Sequence, residues 1–542
     1  MAKRYRPVPR DQAFLLPPDM REWLPAHHPV WLVIRVVEQH LDTRAVHATR
    51  HVGGAGAAGY DPDMLTALLV WAYASRVTSS RRIEALCRTD VAFKVICAGQ
   101  VPDHVTIARF RAGLGTAAAA LFDQVLMLCA RLGMGQLGLV ALDGMKIAAS
   151  ASKSANRGRE KLRELAEQIA AEHAATDAAE DALFGAGVRG DEVPAELADP
   201  RTRDERIAAA LAELEAEQRA AEAAEQARQA KAAAYRTGPG GTPGKPPAEV
   251  RVAAALARVE RATAEQQARV DGRQVRQAAS LAAGKGRLRG TVPALPERSG
   301  KVARARATLA KAQEAAAAAA GAPPPGPGRV RNITDPHSRL MPVRGGGFIQ
   351  GYNTQNLASS DGLIIATRLT ADPADTPWLE PMLAGGLAAA DLITAARPAR
   401  DDDTSTGIGL ILADAGYLSE DNLLLKGPDR LIATGKRRDL EKQAAGEDDS
   451  RWHSPVITAM ARRLATPEAI SAYRQRGHIA ETPHGNIKHN LGFRQFSVRG
   501  KPRVTAEWLL TCTVHNLFKA ISSGTLTTAA LATLPAQPGQ PA

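Results

Sequence analysis

Apolar and polar positions change rhythm several times along the 542-residue chain, and each change predicts a different element. From 12 to 135 the spacing is helical. Asp61-Pro62 precedes an apolar run from Met64 to Tyr73, the order of cap, first-turn proline and buried face expected where a helix starts. Ile83, Leu86 and Cys87 recur at helical spacing, and after Gly99 the segment Pro102 to Arg111 opens another helix. Residues 137–147 form instead a short apolar run bounded by glycine, the pattern of a central buried strand carrying one carboxylate, Asp143. Alternation over Gly347–Leu357, turn residues at Ser359–Gly362 and an apolar run Leu363–Leu369 predict a hairpin. Thr376-Pro377 starts a helix expected to reach about Ala390. Residues 408–413 are a further apolar strand ending on Asp414, and Arg430 to Thr434 a shorter one. A helical stretch then carries Glu481, Trp508 to Ala520 reads as an amphipathic helix, and a Pro/Gln tail follows from Leu534.

Between 151 and 328 the periodicity weakens. The stretch is rich in Ala, Glu, Arg and Gln, with helix-favouring runs such as Arg206 to Lys231, and from 151 to 347 the aromatic residues are Phe184 and Tyr235. Two readings fit: a helical arm inserted between two strands of one domain, or a disordered linker. The expected division is a helical domain at 1–135, an α/β domain built from 136–150 and 329–522, the insert 151–328 between its halves, and a disordered tail at 523–542.

Charge adds a partner to this picture. A net charge of +12 and a pI near 9.7 suit a polyanion, because Lys and Arg release counterions condensed on phosphate backbones. Arg109 and Arg111 on the second of two helices across a Gly/Pro turn resemble a helix-turn-helix reader; an ordinary helical bundle with solvated arginines fits the same pattern. Four cysteines without a CxxC pair point to a reducing cytoplasm rather than a disulfide scaffold or zinc finger. Met1 to Arg10 leads into no apolar signal core, and the apolar run near Met64 to Tyr73 is too short for a bilayer, so no membrane association is expected.

Asp143 and Asp414 at the ends of apolar strands, with Glu481 on a late helix, can be gathered by sheet topology. Hard oxygen ligands so clustered suit Mg²⁺ or Mn²⁺, and two such ions about 4 Å apart drive in-line phosphoryl transfer. With 57 acidic residues in the chain, spacing alone does not single these three out. Asp335 is the rival carboxylate, though Thr334-Asp335-Pro336 also reads as a turn. Asp421 suits the first turn of a helix, and His484 and His515 are lone histidines of the packing kind.

The surrounding motifs are more specific. Tyr473, Arg476, Glu481 and Lys488, followed by Gly492-Phe-Arg-Gln-Phe496, resemble the Tyr-Arg-Glu-Lys signature of insertion-sequence DDE transposases. The resemblance extends to Leu142-Asp143-Gly144, Asn332 to Met341, Gly351 to Gln355, Asp414-Ala-Gly-Tyr417, Glu507-Trp508 and His515-Asn-Leu517, and in the N-terminal part to Ser79–Ile83 and Pro102–Ile107; the insert lies outside it. Four residues separate Arg476 from Glu481 where some branches have three, and His484 stands where a large apolar residue is frequent. The resemblance implies an RNase H-like mixed sheet with flanking helices, interrupted after its first strand. It implies Asp143, Asp414 and Glu481 as ligands of two Mg²⁺ or Mn²⁺ ions, with Tyr473, Arg476 and Lys488 positioning DNA. The implied activity is cleavage and joining at the terminal inverted repeats of a mobile element in a bacterial cytoplasm, on double-stranded DNA ends and target, by a homodimer or larger assembly. Two other readings remain: a domesticated DNA-binding protein without catalysis on the same fold, and a scaffold dominated by the insert.

Overall fold

The computed structural model describes residues 19–48, 59–158, 160–168, parts of 207–226, 248–288, 290–321, 330–343, 346–398, 407–435 and 454–535. They fall into two compact units, 1–210 with 330–542, and 211–329.

The first unit opens with helices α1 (Pro29–His40), α2 (Arg44–His47), α3 (Pro62–Ala74), α4 (Ser80–Thr89), α5 (Val91–Ile96), α6 (His104–Ala112) and α7 (Ala117–Arg131). Asp61 caps α3 by accepting from the Asp63 and Met64 N–H groups, with Pro62 in the first turn. Between Ser79 and Gly99 the sequence pattern marks one helix and the structure has two. Asp90 ends α4 and caps α5, accepting from the Ala92 and Phe93 amides.

The strands are β1 (Leu139–Ala148), β2 (Asn156–Gly158), β3 (Val330–Asn332), β4 (Arg339–Pro342), β5 (Phe348–Ser359), β6 (Ile364–Thr370), β7 (Leu410–Ala413) and β8 (Asp429–Ile432). β1 lies mid-sheet, antiparallel to β5 and parallel to β7, which is parallel to β8. On its other edge β5 pairs with β4 and then with β6. The result is a mixed α/β unit around a mixed sheet. The expected hairpin is β5–β6, turned by Ser359–Gly362: the Gly362 amide donates to the Ser359 carbonyl at 2.9 Å, and Gly362 takes a φ of +87° that a side chain would strain.

Alternation along the strands divides the core. Ala141, Ala358, Leu412 and Leu431 pack with Leu464, Ala469, Ile479 and Ala480 from α12 (Pro455–Leu464) and α13 (Pro467–Gly485). Their neighbours Val140, Leu142, Leu357, Ile411 and Ile432 join the larger core, with α7, α10 (Leu379–Ala396) and α14 (Lys501–Ser522). Among the described residues, the single helix Thr376–Ala396 is by length and composition able to cross a membrane, yet Leu379, Met382, Leu383 and Ile393 are buried in this core.

Two expectations need correction. The C-terminal helix is not amphipathic: α14 packs against α3, α6, α7 and β6, so it buries residues around most of its circumference, Glu507, Trp508, His515 and Asn516 among them. The tail is not disordered from 523, because Thr528–Thr533 form a short helix and Leu526 and Leu531 pack into the core. Residues 536–542 and Met1 to Arg10 lie outside the described residues.

In the second unit α8 (Ala248–Ala282) and α9 (Gly300–Gly321) pack together through Ala262, Val302, Ala305 and Val259. The connection between them is held by the Gln266 amide, which donates to the Ala294 carbonyl at 2.7 Å, and by Arg273, which donates to the Leu288 and Gly290 carbonyls at 3.0 Å. Of the predicted helical run from Arg206 to Lys231, 210–220 are helical and much of the remainder lies outside the described residues.

Candidate active site

Strand register brings the first two acids together. Leu142 on β1 pairs with Ala413 on the parallel β7, so Asp143 and Asp414 each occupy the next position on adjacent strands. Asp143 also faces Asn356 across the antiparallel pair with β5. α13 packs against β1, β5 and β7 and contributes Arg476, Glu481 and His484 to the cavity. From it Arg476 reaches Asp143 at 3.1 Å and Asp414 at 3.7 Å. Asp143, Asp414 and Glu481 line one cavity of about 500 Å³, together with Asp375, Arg476, His484 and Lys488. Glu481 is exposed at this cavity, whereas Asp143 keeps 19% of its side chain accessible.

Burial dominates the electrostatics. It lifts the Asp143 carboxyl to about 6; Arg476 works in the opposite direction, and Asp414 and Asp375 add to the rise. Burial also drives His484 down to about 3, helped by Lys488, His515 and Arg476, so its ring is neutral. His484 then accepts from the Asn356 amide at 3.0 Å and turns Nδ1 toward Asp143, 3.8 Å away. Asn356 accepts from Thr367 Oγ1 at 2.6 Å, and Thr367 accepts from the indole of Trp508 at 2.7 Å. A continuous chain of polar contacts thus runs from α14 through the sheet to Asp143. Burial lowers Lys488 as well, with Arg494 next in effect.

Glu481 and Lys488 do share the cavity, but not as two turns of one α-helix. Pro483 lies inside α13 and lacks the N–H that would continue the ladder, and residues Asn486–Asn490 wind as a π-helix. Tyr473 does not line this cavity. Its hydroxyl donates to the Ala413 carbonyl at 3.0 Å, one residue before Asp414, and burial raises it to about 12. Asp335 lies elsewhere: fully buried, it accepts from the Tyr352 hydroxyl at 2.9 Å and from the Gly500 amide at 3.3 Å. Arg109 is exposed on α6, while Arg111 is turned inward, donating to the Thr78 carbonyl and to Ser80 Oγ. Arg111 is therefore not the solvent-facing cation that the sequence pattern suggested.

Asp375 went unnoticed in the sequence. It accepts from Asn353 at 2.9 Å and from Gln355 at 2.6 Å, and Tyr417 in turn donates to Gln355. A Cβ on Gly144 would fall 2.6 Å from the Asp375 carboxylate, and one on Gly416 would fall 3.1 Å from it. Both acid motifs therefore carry glycine where Asp375 needs room. Those glycines, one and two residues after Asp143 and Asp414, were the available signal.

The donor set at the cavity is oxygen from four carboxylates without a thiolate, which fits a hard divalent ion. Arg476 presently supplies the positive charge between Asp143 and Asp414. Among the described residues, three potential ligand atoms within 4.8 Å of one another occur at His47, Asp61 and Asp63, away from this cavity.

Residues 18–113 match a family described as Transposase domain (DUF772), and residues 437–521 match one described as Transposase DDE domain. The second match contains Tyr473, Arg476, Glu481 and Lys488; Asp143 and Asp414 fall outside both. Comparison with curated proteins and with solved structures returned no match. Together the two family matches support an insertion-sequence DDE transposase.

Proposed function

We propose that this chain binds the terminal inverted repeats of an insertion sequence and catalyses metal-dependent DNA cleavage and strand transfer. The observation that carries the reading is the convergence of Asp143, Asp414 and Glu481, from β1, the end of β7 and α13, on one cavity with Arg476 and Lys488. The mixed sheet, with the first acid on its central strand and the second on the parallel neighbour, supports an RNase H-like catalytic domain interrupted by the insert. Asp143, Asp414 and Glu481 would hold Mg²⁺ or Mn²⁺, which when bound supplies activation of the attacking oxygen and stabilisation of the leaving one. Arg476 offsets the repulsion between Asp143 and Asp414 and, with Lys488, offers donors to the phosphate oxygens. Tyr473 steadies the strand end that presents Asp414. Water cuts the phosphodiester at the element's end, and the freed 3′-hydroxyl then attacks target DNA, the two ends being brought together by a homodimer or larger assembly.

The test is strand cleavage of an end-bearing duplex with Mg²⁺. Asp143→Asn and Glu481→Gln should each lose activity by roughly three orders of magnitude or more, as expected where charge stabilisation carries the reaction, while duplex binding persists. Full cleavage by either variant removes the triad assignment.

A further inference from the structure

A second cavity, of about 610 Å³, opens between the start of α4 and α6 and is bounded at one point by Ser497. Arg81, Arg109 and Arg111 all line it, and no carboxylate does. Arg81 and Arg109 are exposed, whereas Arg111 is only 6% exposed. The Arg111 guanidinium is spent on neutral acceptors, the Thr78 carbonyl and Ser80 Oγ, and its buried Nε–H has no partner. The nearby buried carboxylate, Glu507, is already engaged by the Tyr73 hydroxyl and by the amide and hydroxyl of Ser497. Arg111 makes no ion pair within 4 Å among the described residues, so its charge adds to the positive potential that Arg81 and Arg109 set up in this cavity. Ser79 begins α4 without a side-chain cap, which leaves the positive end of that helix open on the same side.

The two exposed arginines offer donors to an anion at the surface, and the chain's net charge of +12 favours a polyanion. We propose that the cavity between α4 and α6 seats a backbone phosphate of duplex DNA, held by Arg81 and Arg109 with Arg111 as the buried charge behind. This site deepens the transposase reading and rests on it. Its contacts are to phosphate, so it fixes the position of the duplex without reading bases.

The experiment measures binding of the full chain to two fluorescent duplexes of unrelated sequence across a salt series. The double variant Arg81→Ala/Arg109→Ala should weaken both duplexes equally, by about tenfold, and lower the slope of log affinity against log salt by about 1. Arg109→Glu alone should move both readouts further in the same direction. Both positions are exposed, so the melting transition should match the wild type. Unchanged affinity and slope in both variants would overturn the site; if the wild type still cleaves end-bearing DNA, the transposase reading stands without it. A loss confined to one duplex would also overturn it, since that is base readout. If the wild type binds neither duplex at any salt, the site and the transposase reading fall together.

Discussion

At the scale of single residues Asp375 stands between the two acid motifs. It touches the backbone space of both acid motifs and is aligned by Asn353 and Gln355. Asp375→Asn should reduce cleavage by roughly 10–100-fold, the usual loss when a group orienting metal ligands is removed, with little change in unfolding. Gly144→Ala should reproduce that loss by pushing the carboxylate away; wild-type rates in Gly144→Ala would show that the close approach has no consequence. Asp375 was hard to read because it stands in a short lead-in to a helix, with no apolar strand around it to make a charge look out of place. Asp143 and Asp414 had that contrast. A second residue-scale prediction follows from His515, which is buried, donates from Nε2 to the Gly362 carbonyl and accepts at Nδ1 from Asn486. Accepting from Asn486 requires an unprotonated Nδ1, and burial depresses the ring to about 4 from a usual 6.5; the Gly362 carbonyl works in the opposite direction and Lys519 adds to the fall. The unfolded chain takes up the proton first. Stability from this group is therefore complete above about 6.5 and declines as pH falls toward 4, by on the order of 3 kcal/mol. Urea unfolding of wild type and His515→Gln across that range checks it: the variant should show the shallower pH dependence.

At the scale of elements, α14 ties the N-terminal helices to the sheet. Trp508 is fully buried beside Phe493, at 6.3 Å between rings, and its indole begins the polar chain that ends at Asp143. Trp508→Ala should destabilise the protein by about 3–5 kcal/mol. Trp508→Phe keeps most of the packing and drops the donor to Thr367, so it should retain stability better while still altering cleavage. Equal stability of Trp508→Ala and wild type in denaturant would mean that α14 is not central. The sequence showed a helix here but judged its surface by its own polar residues. Glu507, His515 and Asn516 look solvent-facing by type, and only the partners across space, Tyr73, Gly362 and Ile364, account for their burial. The β5–β6 hairpin was legible because its turn is local. The π-helical turn after Pro483 was not: its spacing reads as ordinary helix, and only the structure shows the wider winding with Ile487 buried in the core.

At the scale of the whole molecule, the insert leaves and re-enters through a narrow door. β2 and β3 pair antiparallel, with Gly158 opposite Val330, so the two stretches of chain that flank residues 159–329 lie side by side. Replacing 160–328 with a short turn removes 160–210 of the first unit together with the whole second unit, and the sheet and its flanking helices should still fold and show a melting transition; failure to fold would show that the segment, through residues such as Leu162 and Ile207, supplies core as well as length.

The same interruption has a temporal side. β1 emerges during synthesis about 200 residues before β5, its antiparallel neighbour, and earlier still than β7. At ribosomal speeds of about 5–20 residues per second that is a wait of roughly 10–40 s. Throughout it Asp143 sits on a strand with neither edge paired, and a nascent chain in that interval holds no assembled carboxylate cluster. Translation itself therefore delays the appearance of any nuclease centre until most of the polypeptide has been made, and leaves an apolar strand for a chaperone to shield in the meantime.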